Sequence, residues 1–318
     1  MSAKHQWRIL YVGILLLFIS ACASPYKQNT NNEFSLPQGL FGHAVVNNGE
    51  QLFVFGGSGN KGFTRDIYIV DPNTRKIEHL SDSLLPRRYH SAVWDGQDSI
   101  YILGGVSLLN KRLSLQPSIE VYDIPSKKVT IIGEMPVPRR FGSAVFIDGK
   151  IIVSGGEMFS RQPNDRVKAT DTVAIYDISA NTWKKGADLP YPQSTRTVVL
   201  NQEIYAIGGF NGSVASDHFA RYNYQTAQWL SLPALPQVLS AHSVVANQDK
   251  IYTFGDYQDL SASYVYDTTL QTWQKTNFNY QPSRHNAATV LNNIIYVIGG
   301  TIGSSGPFLN TIQTFPIE

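Results

Sequence analysis

The sequence is short of cysteine, of charge and of long apolar runs. Its 318 residues include a single cysteine, and charged residues make up only 16%. One cysteine excludes an intramolecular disulfide framework. The N-terminal apolar run extends only from Ile9 to Ile19, whereas a bilayer-spanning helix needs roughly 20 apolar residues. The run is therefore too short for a transmembrane helix.

A basic excess is also missing. The chain has 26 basic and 24 acidic residues, and two of the basic ones, Lys4 and Arg8, lie within the first 21 residues. The remainder is balanced, with 24 residues of each sign. Nucleic-acid binding requires a basic excess or stripe, so the sequence predicts no nucleic-acid partner.

Glycine, proline and aromatic residues are abundant instead. The chain has 25 Gly and 16 Pro, and aromatic residues make up 12%. Long helices and coiled coils are usually rich in Glu, Lys, Arg and Ala, which the low charge content does not fit. This composition favours an all-β fold.

The N-terminus has the pattern of an export signal. Lys4 and Arg8 precede the apolar run, and Ile19-Ser20-Ala21-Cys22 follows it. This tetrapeptide resembles the lipobox of bacterial lipoproteins. The resemblance implies that residues 1–21 are a signal peptide, that Cys22 carries acyl chains such as palmitate, and that residues 22–28 form a tether. No Asp follows Cys22, which implies the outer membrane, facing the periplasm, in a Gram-negative cell.

The rest of the chain repeats one pattern six times. An apolar strand ends in Gly-Gly, or once in Gly-Asp, and the first glycines are Gly56, Gly104, Gly155, Gly208, Gly255 and Gly299. A second strand then ends in an aromatic or apolar residue plus a turn residue, usually Asp. An apolar anchor, often Trp, lies six residues beyond that turn residue. A further column of residues lies thirteen beyond the anchor: His90, Gly142, Arg196, His242 and Asn286.

Each part of the repeat has a physical reason. Paired glycines tolerate positive φ and the close approach of a neighbouring backbone. Asp and Asn begin tight turns because their side chains bond to the backbone two or three residues on. Asp148-Gly149 and Asn292-Asn293 are hairpin signals. These features predict four strands per repeat.

Together these motifs resemble the Kelch repeat family. The resemblance implies an all-β, six-bladed β-propeller over residues 29–318, with one four-stranded blade per repeat. The sixth repeat ends before its outer strand, because its anchor position would lie beyond Glu318. We therefore expect an N-terminal strand near Gln28–Phe34 to close the last blade.

The candidate binding residues are mostly basic. In such a blade the loops after Gly-Gly and the segments leading into the innermost strands share one face, where basic residues concentrate positive potential and favour an anionic partner. The predicted binding residues are Arg88, Arg140, Arg161, Arg166, Arg196, Arg284, His90 and His242. The alternative is that Pro-Arg is the ordinary start of a Kelch blade, with each arginine paired to its neighbours.

Catalytic and metal-binding patterns are weak. His43, His90 and His242 share one column, but symmetry-related positions of a six-bladed ring lie too far apart for one ion, so we expect no metal and no cofactor. Kelch oxidases need a cysteine that the processed chain lacks. One enzymatic alternative is a resemblance to periplasmic Kelch sialic-acid mutarotases, which implies Glu157 as acid–base and Arg166 or Arg140 as the cation for the substrate carboxylate.

These patterns favour a binding module over an enzyme. We expect a monomer, anchored in the cell envelope through Cys22, that recognises a protein or carbohydrate ligand on the face of the Gly-Gly loops. The sialic-acid mutarotase is the alternative function.

Overall fold

The computed structural model describes residues 34–159 and 167–317, and every regular element in these ranges is a β-strand. Within the same ranges no helix is long and apolar enough to span a bilayer. Blade 1 contains β1 (Ala44–Asn47), β2 (Leu52–Phe55), β5 (Ile67–Asp71) and β6 (Lys76–Leu80), with the hairpin β3 (Ser58–Gly59) and β4 (Gly62–Phe63) after β2. Blade 2 contains β7 (Ser91–Trp94), β8 (Ser99–Leu103), β11 (Ser118–Asp123) and β12 (Lys128–Glu134), with the hairpin β9 (Val106–Leu109) and β10 (Arg112–Leu115).

The remaining blades repeat this order. Blade 3 contains β13 (Ser143–Ile147), β14 (Lys150–Ser154), β17 (Val173–Asp177) and β18 (Thr182–Lys185), with the hairpin β15 (Glu157–Phe159) and β16 (Val167–Ala169). Blade 4 contains β19 (Arg196–Leu200), β20 (Glu203–Phe210), β21 (Ala215–Asn223) and β22 (Gln228–Ser231). Blade 5 contains β23 (Ser243–Asn247), β24 (Lys250–Phe254), β25 (Ser263–Asp267) and β26 (Thr272–Lys275), and blade 6 contains β27 (Ala287–Leu291), β28 (Ile294–Ile298) and β29 (Ile312–Pro316).

Cross-strand pairing explains the fixed spacing between the turn residue and its anchor. Tyr176 lies directly opposite Trp183 in the β17–β18 register, with ring centroids 5.0 Å apart. Such aromatic pairs are a main source of sheet stability. The turn between the two residues is fixed by Asp177, whose carboxylate accepts a hydrogen bond from the backbone N–H of Ala180 at 3.0 Å. Blades 4 and 5 repeat the pair as Tyr222–Trp229 and Tyr266–Trp273.

The blades form a closed ring. The innermost strands are neighbours in the cyclic order β1, β7, β13, β19, β23, β27 and again β1. In the described part of the chain, six apolar clusters lie between successive blades. One cluster packs Phe53 of blade 1 against Ile100 of blade 2, and another closes the ring with Val54 of blade 1 and Ile298 of blade 6. The predicted six-bladed propeller is confirmed.

The first and the second glycine of the Gly-Gly motif each lie close to another segment of the chain, as Gly299 and Gly57 show. At Gly299 an added Cβ would lie 2.6 Å from the carbonyl oxygen of Leu40 and 2.9 Å from Cε1 of His43, both in blade 1. At Gly57, where φ is +95°, an added Cβ would lie 2.7 Å from Cβ of His43. A side chain at either position would separate segments that the ring holds together.

The chain preceding blade 1 completes the last blade. The N–H of Ile312 in β29 donates to the carbonyl of Phe34 at 2.9 Å, and the N–H of Leu36 donates to the carbonyl of Asn310 at 2.7 Å. Leu36 is buried in the cluster between blades 6 and 1. The expected N-terminal closure is therefore found at residues 34–36, and the rest of the predicted strand lies outside the described residues.

The repeat column requires a correction in blade 4. The sequence pattern placed Arg196 level with His242, but Arg196 pairs with Ile207, the residue before Gly208. In blade 5 the equivalent pair joins Phe254 with Ser243, the residue after His242. Blade 4 is one residue shorter at this point, so Arg196 lies one position further into the channel than the column predicts.

Candidate functional site

One face of the propeller gathers two kinds of segment. The segment that leads into an innermost strand forms a β-bridge with the loop that follows Gly-Gly in the same blade, as Arg88 does with Val106 and Arg284 does with Thr301. The prediction that these segments share a face is confirmed. We call this surface the Gly-Gly loop face.

Three aromatic rings meet on the propeller axis at this face. Phe141 and His285 belong to blades 3 and 6, which are opposite in a six-bladed ring, yet their ring centroids lie 5.8 Å apart. Tyr89 of blade 2 stacks on Phe141 at 4.1 Å and lies 5.0 Å from His285. We call these three rings the axial cluster. A contact between opposite blades has to lie on the axis, so the axial cluster covers this end of the central channel.

The backbone of the axial cluster is constrained. Tyr89, Phe141 and His285 have φ values of +58°, +54° and +53°, a left-handed conformation that is uncommon for bulky residues. Hydrogen bonds between blades hold it, because the N–H of Phe141 donates to the carbonyl of Tyr89 at 2.9 Å and the N–H of Tyr89 donates to that of Gly42 at 2.7 Å. Constrained backbone of this kind often occurs at functional sites.

Arg88 lies on aromatic rings beside the axial cluster. Its guanidinium carbon is 5.3 Å from the ring centroid of Phe41, 5.0 Å from that of Phe63 and 5.1 Å from that of Tyr89. These are cation–π distances. In the part of the chain that the structure describes, Arg88 forms no ion pair. Its charge is thus positioned by aromatic rings and not neutralised by an acid.

Arg284 is held in a similar way in blade 6. Its guanidinium carbon lies 3.9 Å from the ring centroid of Tyr257, and its Nη1 donates to the carbonyl of that residue at 2.7 Å. Tyr257 is 49% exposed. Arg284, like Arg88, has no acidic partner within residues 34–159 and 167–317. A guanidinium stacked on an exposed ring is fixed in place while its outer N–H groups remain near solvent.

Arg140 is neutralised by Glu157. Its Nε and Nη2 both lie 2.8 Å from Oε2 of Glu157, whose side chain is 4% exposed. A general base has to reach the proton that it abstracts, and this carboxylate is buried and bound. The mutarotase alternative gains no support from this pair. Arg166, the other residue predicted for a mutarotase, lies outside the described residues. The predicted residues Arg161 and Cys22 also lie outside them.

Four arginines act together on His285. Burial lowers the pKa of His285 to about 3, and the positive charges of Arg196, Arg284, Arg88 and Arg140 contribute to the decrease in that order. The structure therefore brings four of the predicted binding arginines together around the axial cluster. His285 stays neutral among them at ordinary pH.

Arg88 and Arg140 are each preceded by another arginine, Arg87 and Arg139. These two preceding arginines have a structural role. Arg87 is fully buried, and its Nη2 lies 2.6 Å from Oε2 of Glu120. Arg139 is 1% exposed and donates to the carbonyls of Gly155 and Thr172 at 3.0 and 2.8 Å. The alternative of an arginine paired to its neighbours therefore holds for these two residues.

The two predicted binding histidines pack between blades. His90 and His242 are 5% and 1% exposed. An added Cβ at Gly56 would lie 3.1 Å from Cε1 of His90, and one at Gly208 would lie 3.3 Å from Cε1 of His242. Burial lowers the pKa of His242 to about 3 and that of His90 well below its usual value. Both rings are neutral and pack against the preceding blade. Among the described residues, no group of three or more His, Cys, Asp or Glu is placed to hold a metal ion.

The aromatic part of the site was not predicted from the sequence. Tyr89, Phe141 and His285 each come directly before a residue of the column that contains His90, Gly142 and Asn286. That position was the available signal, because the column begins the innermost strand and the residue before it has to lie near the axis. The positive φ that directs these rings inward cannot be recognised from residue type.

The fold and this site define a class: a six-bladed β-propeller with arginines and aromatic rings clustered at its axis. Residues 42–256 match the KLHDC2/KLHL20/DRC7 Kelch-repeats domain, and residues 282–315 match the Kelch motif. The chain belongs to the Kelch-repeat family.

Known relatives are similar over the repeats. The Kelch-like protein terF of Aspergillus terreus is 26% identical over 68% of this chain and 50% of its own length. Kelch-like protein 25 of Xenopus tropicalis is 25% identical over 71% of this chain and 38% of its own length. Beta-scruin of Limulus polyphemus is 23% identical over 80% of this chain and 28% of its own length. The chain thus spans half or less of the length of these relatives.

Proposed function

We propose that this propeller is an interaction module of the bacterial cell envelope that binds an anionic group of a partner, a protein in the first place, on its Gly-Gly loop face. The observation that carries the proposal is the pair Arg88 and Arg284, two arginines on aromatic rings without acidic partners in the described chain. A guanidinium offers a planar fork of donors that matches a carboxylate. Binding, not catalysis, is the function that this arrangement serves.

The setting of these arginines strengthens their effect. Arg88 and Arg284 approach His285 from different blades, and the positive charge of each acts on that ring. Like charges near one another raise the local potential, which attracts an anion and speeds its association. Aromatic rings beneath the cations restrict their rotamers, so less conformational entropy is lost when a ligand binds.

Capture from envelope extracts tests the loop face. The variant Arg88→Glu/Arg284→Glu reverses both charges, and Lys76→Glu/Lys184→Glu makes the same change of net charge on exposed outer strands. We expect wild type and the lysine variant to recover the same partner, and the arginine variant to recover at least about tenfold less, because two charge-assisted contacts are lost. Equal recovery by all three chains would exclude this face.

The same capture distinguishes a protein from a glycan. Protease treatment of the extract before capture removes a protein partner and leaves a glycan. Loss of the captured species after protease treatment supports a protein, and its survival supports a carbohydrate ligand.

Membrane anchoring through Cys22 is the second part of the proposal. It rests on the sequence Ile19-Ser20-Ala21-Cys22 after a short apolar run. Wild type should incorporate labelled palmitate and sediment with membranes, whereas Cys22→Ser should do neither, because the acyl chains supply the anchor. Ser24→Ala is the matched control and should behave as wild type. Membrane retention of unlabelled Cys22→Ser would contradict the anchor without affecting the loop-face proposal.

A further inference from the structure

Beneath the axial cluster lies a cavity in the central channel. Its volume is about 120 Å³. All six blades contribute to its wall, mainly through small and polar residues of the innermost strands, which include Ser91, Ser143, Thr197, Ser243 and Asn286. Tyr89 of the axial cluster lies in the same wall. We call this space the channel cavity.

Arg196 is the charged residue of this wall. Its Nε donates to the carbonyl of His242 at 3.0 Å, and this bond fixes the guanidinium at the wall. Among the residues that the structure describes, no Asp or Glu lines the channel cavity, and Arg196 forms no ion pair. Burial lowers the pKa of Arg196 to about 10, which leaves the residue charged at neutral pH.

The position of Arg196 follows from the shortened start of blade 4. In the neighbouring blades, the residues at the same register are Ser143, opposite Ser154, and Ser243, opposite Phe254. Blade 4 places an arginine there instead, opposite Ile207. A long cationic side chain thus enters a wall that other blades build from serine and alanine.

Hydroxyl groups around Arg196 have unused capacity to donate. The Oγ of Ser243 is buried and has no hydrogen-bond partner among the described residues. The Oγ of Ser143 accepts from both the N–H and the hydroxyl of Thr197, at 2.8 and 2.9 Å, so its own proton is free for another acceptor. Buried polar groups normally have partners. Arg196 is half-buried, and a partly desolvated charge without a counter-charge is costly as well.

We propose that Arg196 binds a small monovalent anion, of halide or acetate size, in the channel cavity, with the hydroxyls of Ser143 and Ser243 as further donors. Such an ion supplies the negative charge and the acceptors that this wall lacks. The volume accommodates it, since one water molecule occupies about 30 Å³ of liquid. The site is distinct from the loop-face site, because its cation is Arg196 and its further donors lie on the innermost strands, and it does not depend on the proposed partner.

Anion-dependent melting of the full chain tests the site. Bromide or acetate is exchanged against gluconate, a much larger monovalent anion, at constant ionic strength. We expect bromide or acetate to raise the Tm of wild type by about 2–4 °C when its concentration is about ten times the Kd. Arg196→Met should abolish the difference. Arg112→Met removes an equivalent charge from the exposed β9–β10 hairpin and should keep it.

Whether the Tm change caused by Arg196→Met depends on the anion separates an anion site from a structural arginine. If Arg196 served only to bond with the carbonyl of His242, Arg196→Met would lower the Tm equally in every anion. That result, or an equal anion response in wild type and Arg196→Met, would overturn the proposal. Crystals soaked in bromide give an independent readout. An anomalous peak beside the Arg196 guanidinium supports the site, and peaks confined to the outer surface overturn it.

Discussion

Phe141 and His285 come from opposite blades, and their rings meet on the propeller axis with centroids 5.8 Å apart. No other arrangement of a six-bladed ring brings opposite blades into contact. The contact depends on backbone that turns each side chain inward at a φ near +54°. The loop face therefore has an aromatic centre, and the arginines of the candidate site are arranged around it.

The left-handed backbone at Phe141 leads to the first prediction. Phe141→Ala and Phe141→Gly both remove the ring, but only alanine keeps a Cβ at positive φ, which costs about 1 kcal/mol or more. We expect the glycine variant to be the more stable of the two by about 1 kcal/mol in urea denaturation. Ala144→Gly in strand β13 is the control and should show the usual order, with glycine less stable by about 0.5–1 kcal/mol. Greater stability of Phe141→Ala would contradict the strained backbone.

The buried Arg87–Glu120 pair gives a second prediction. Burial raises the pKa of Glu120, although Arg87 acts in the opposite direction, and the carboxylate also accepts from the N–H of Leu85 at 2.8 Å. Glu120→Leu leaves the buried Arg87 cation without its counter-charge, so we expect a loss of about 3–5 kcal/mol in the free energy of unfolding. The double variant Arg87→Met/Glu120→Leu should recover part of that loss. A double variant less stable than Glu120→Leu alone would show that the pair itself is not the cause.

Closure of the ring at Phe34 gives a third prediction. Deleting residues 24–35 removes the carbonyl that accepts from the N–H of Ile312 and exposes the edge of β29. We expect a lower Tm, by about 2–4 °C for each kcal/mol lost, in a calorimetric scan. Deletion of residues 24–27 alone, within the predicted tether, is the control and should leave the Tm unchanged. Equal melting of both deletions would contradict closure by this segment.

The strands and the register of most blades were predictable because they depend on local rules. Tyr176 and Trp183 recur at a spacing that a short hairpin turn dictates, and Gly57 is required by the proximity of His43. The register of Arg196 was missed because the repeat was counted forward from Trp183. Counted back from Gly208, Arg196 lies twelve residues away, whereas His242 lies thirteen before Gly255.

The candidate site was predictable only in part, since it depends on contacts between distant blades. The sequence indicated that Arg88, Arg140 and Arg284 share a face. It did not indicate that Glu157 neutralises Arg140, because that pair forms across a β-bridge between the segment leading into β13 and the start of β15. The aromatic rings beneath Arg88 and Arg284 were missed for the same reason.

Buried histidines make the stability of the propeller depend on pH. Burial lowers the pKa of His43 to about 4 and that of His242 to about 3, whereas an unfolded chain has histidine pKa values near 6.5. Above pH 6.5 both states are neutral, and the histidines have no effect. As the pH falls below 6.5, the unfolded chain binds protons that the folded chain does not, so stability is lost down to the folded pKa values.

Asn286 occupies the equivalent position in blade 6, where it is 4% exposed and donates to the hydroxyl of Tyr280 at 2.8 Å, so the column accepts asparagine. We expect His242→Asn to reduce the loss of unfolding free energy between pH 7 and pH 5 by about 2 kcal/mol, and His43→Asn to have a similar effect. The reciprocal variant, Asn286→His, should increase that loss by about the same amount. Urea denaturation at the two pH values measures all three. Because each effect is a difference between two pH values, a change in packing that is independent of pH cancels. Identical pH dependence in wild type and variants would show that these rings are protonated equally in the folded and unfolded chains.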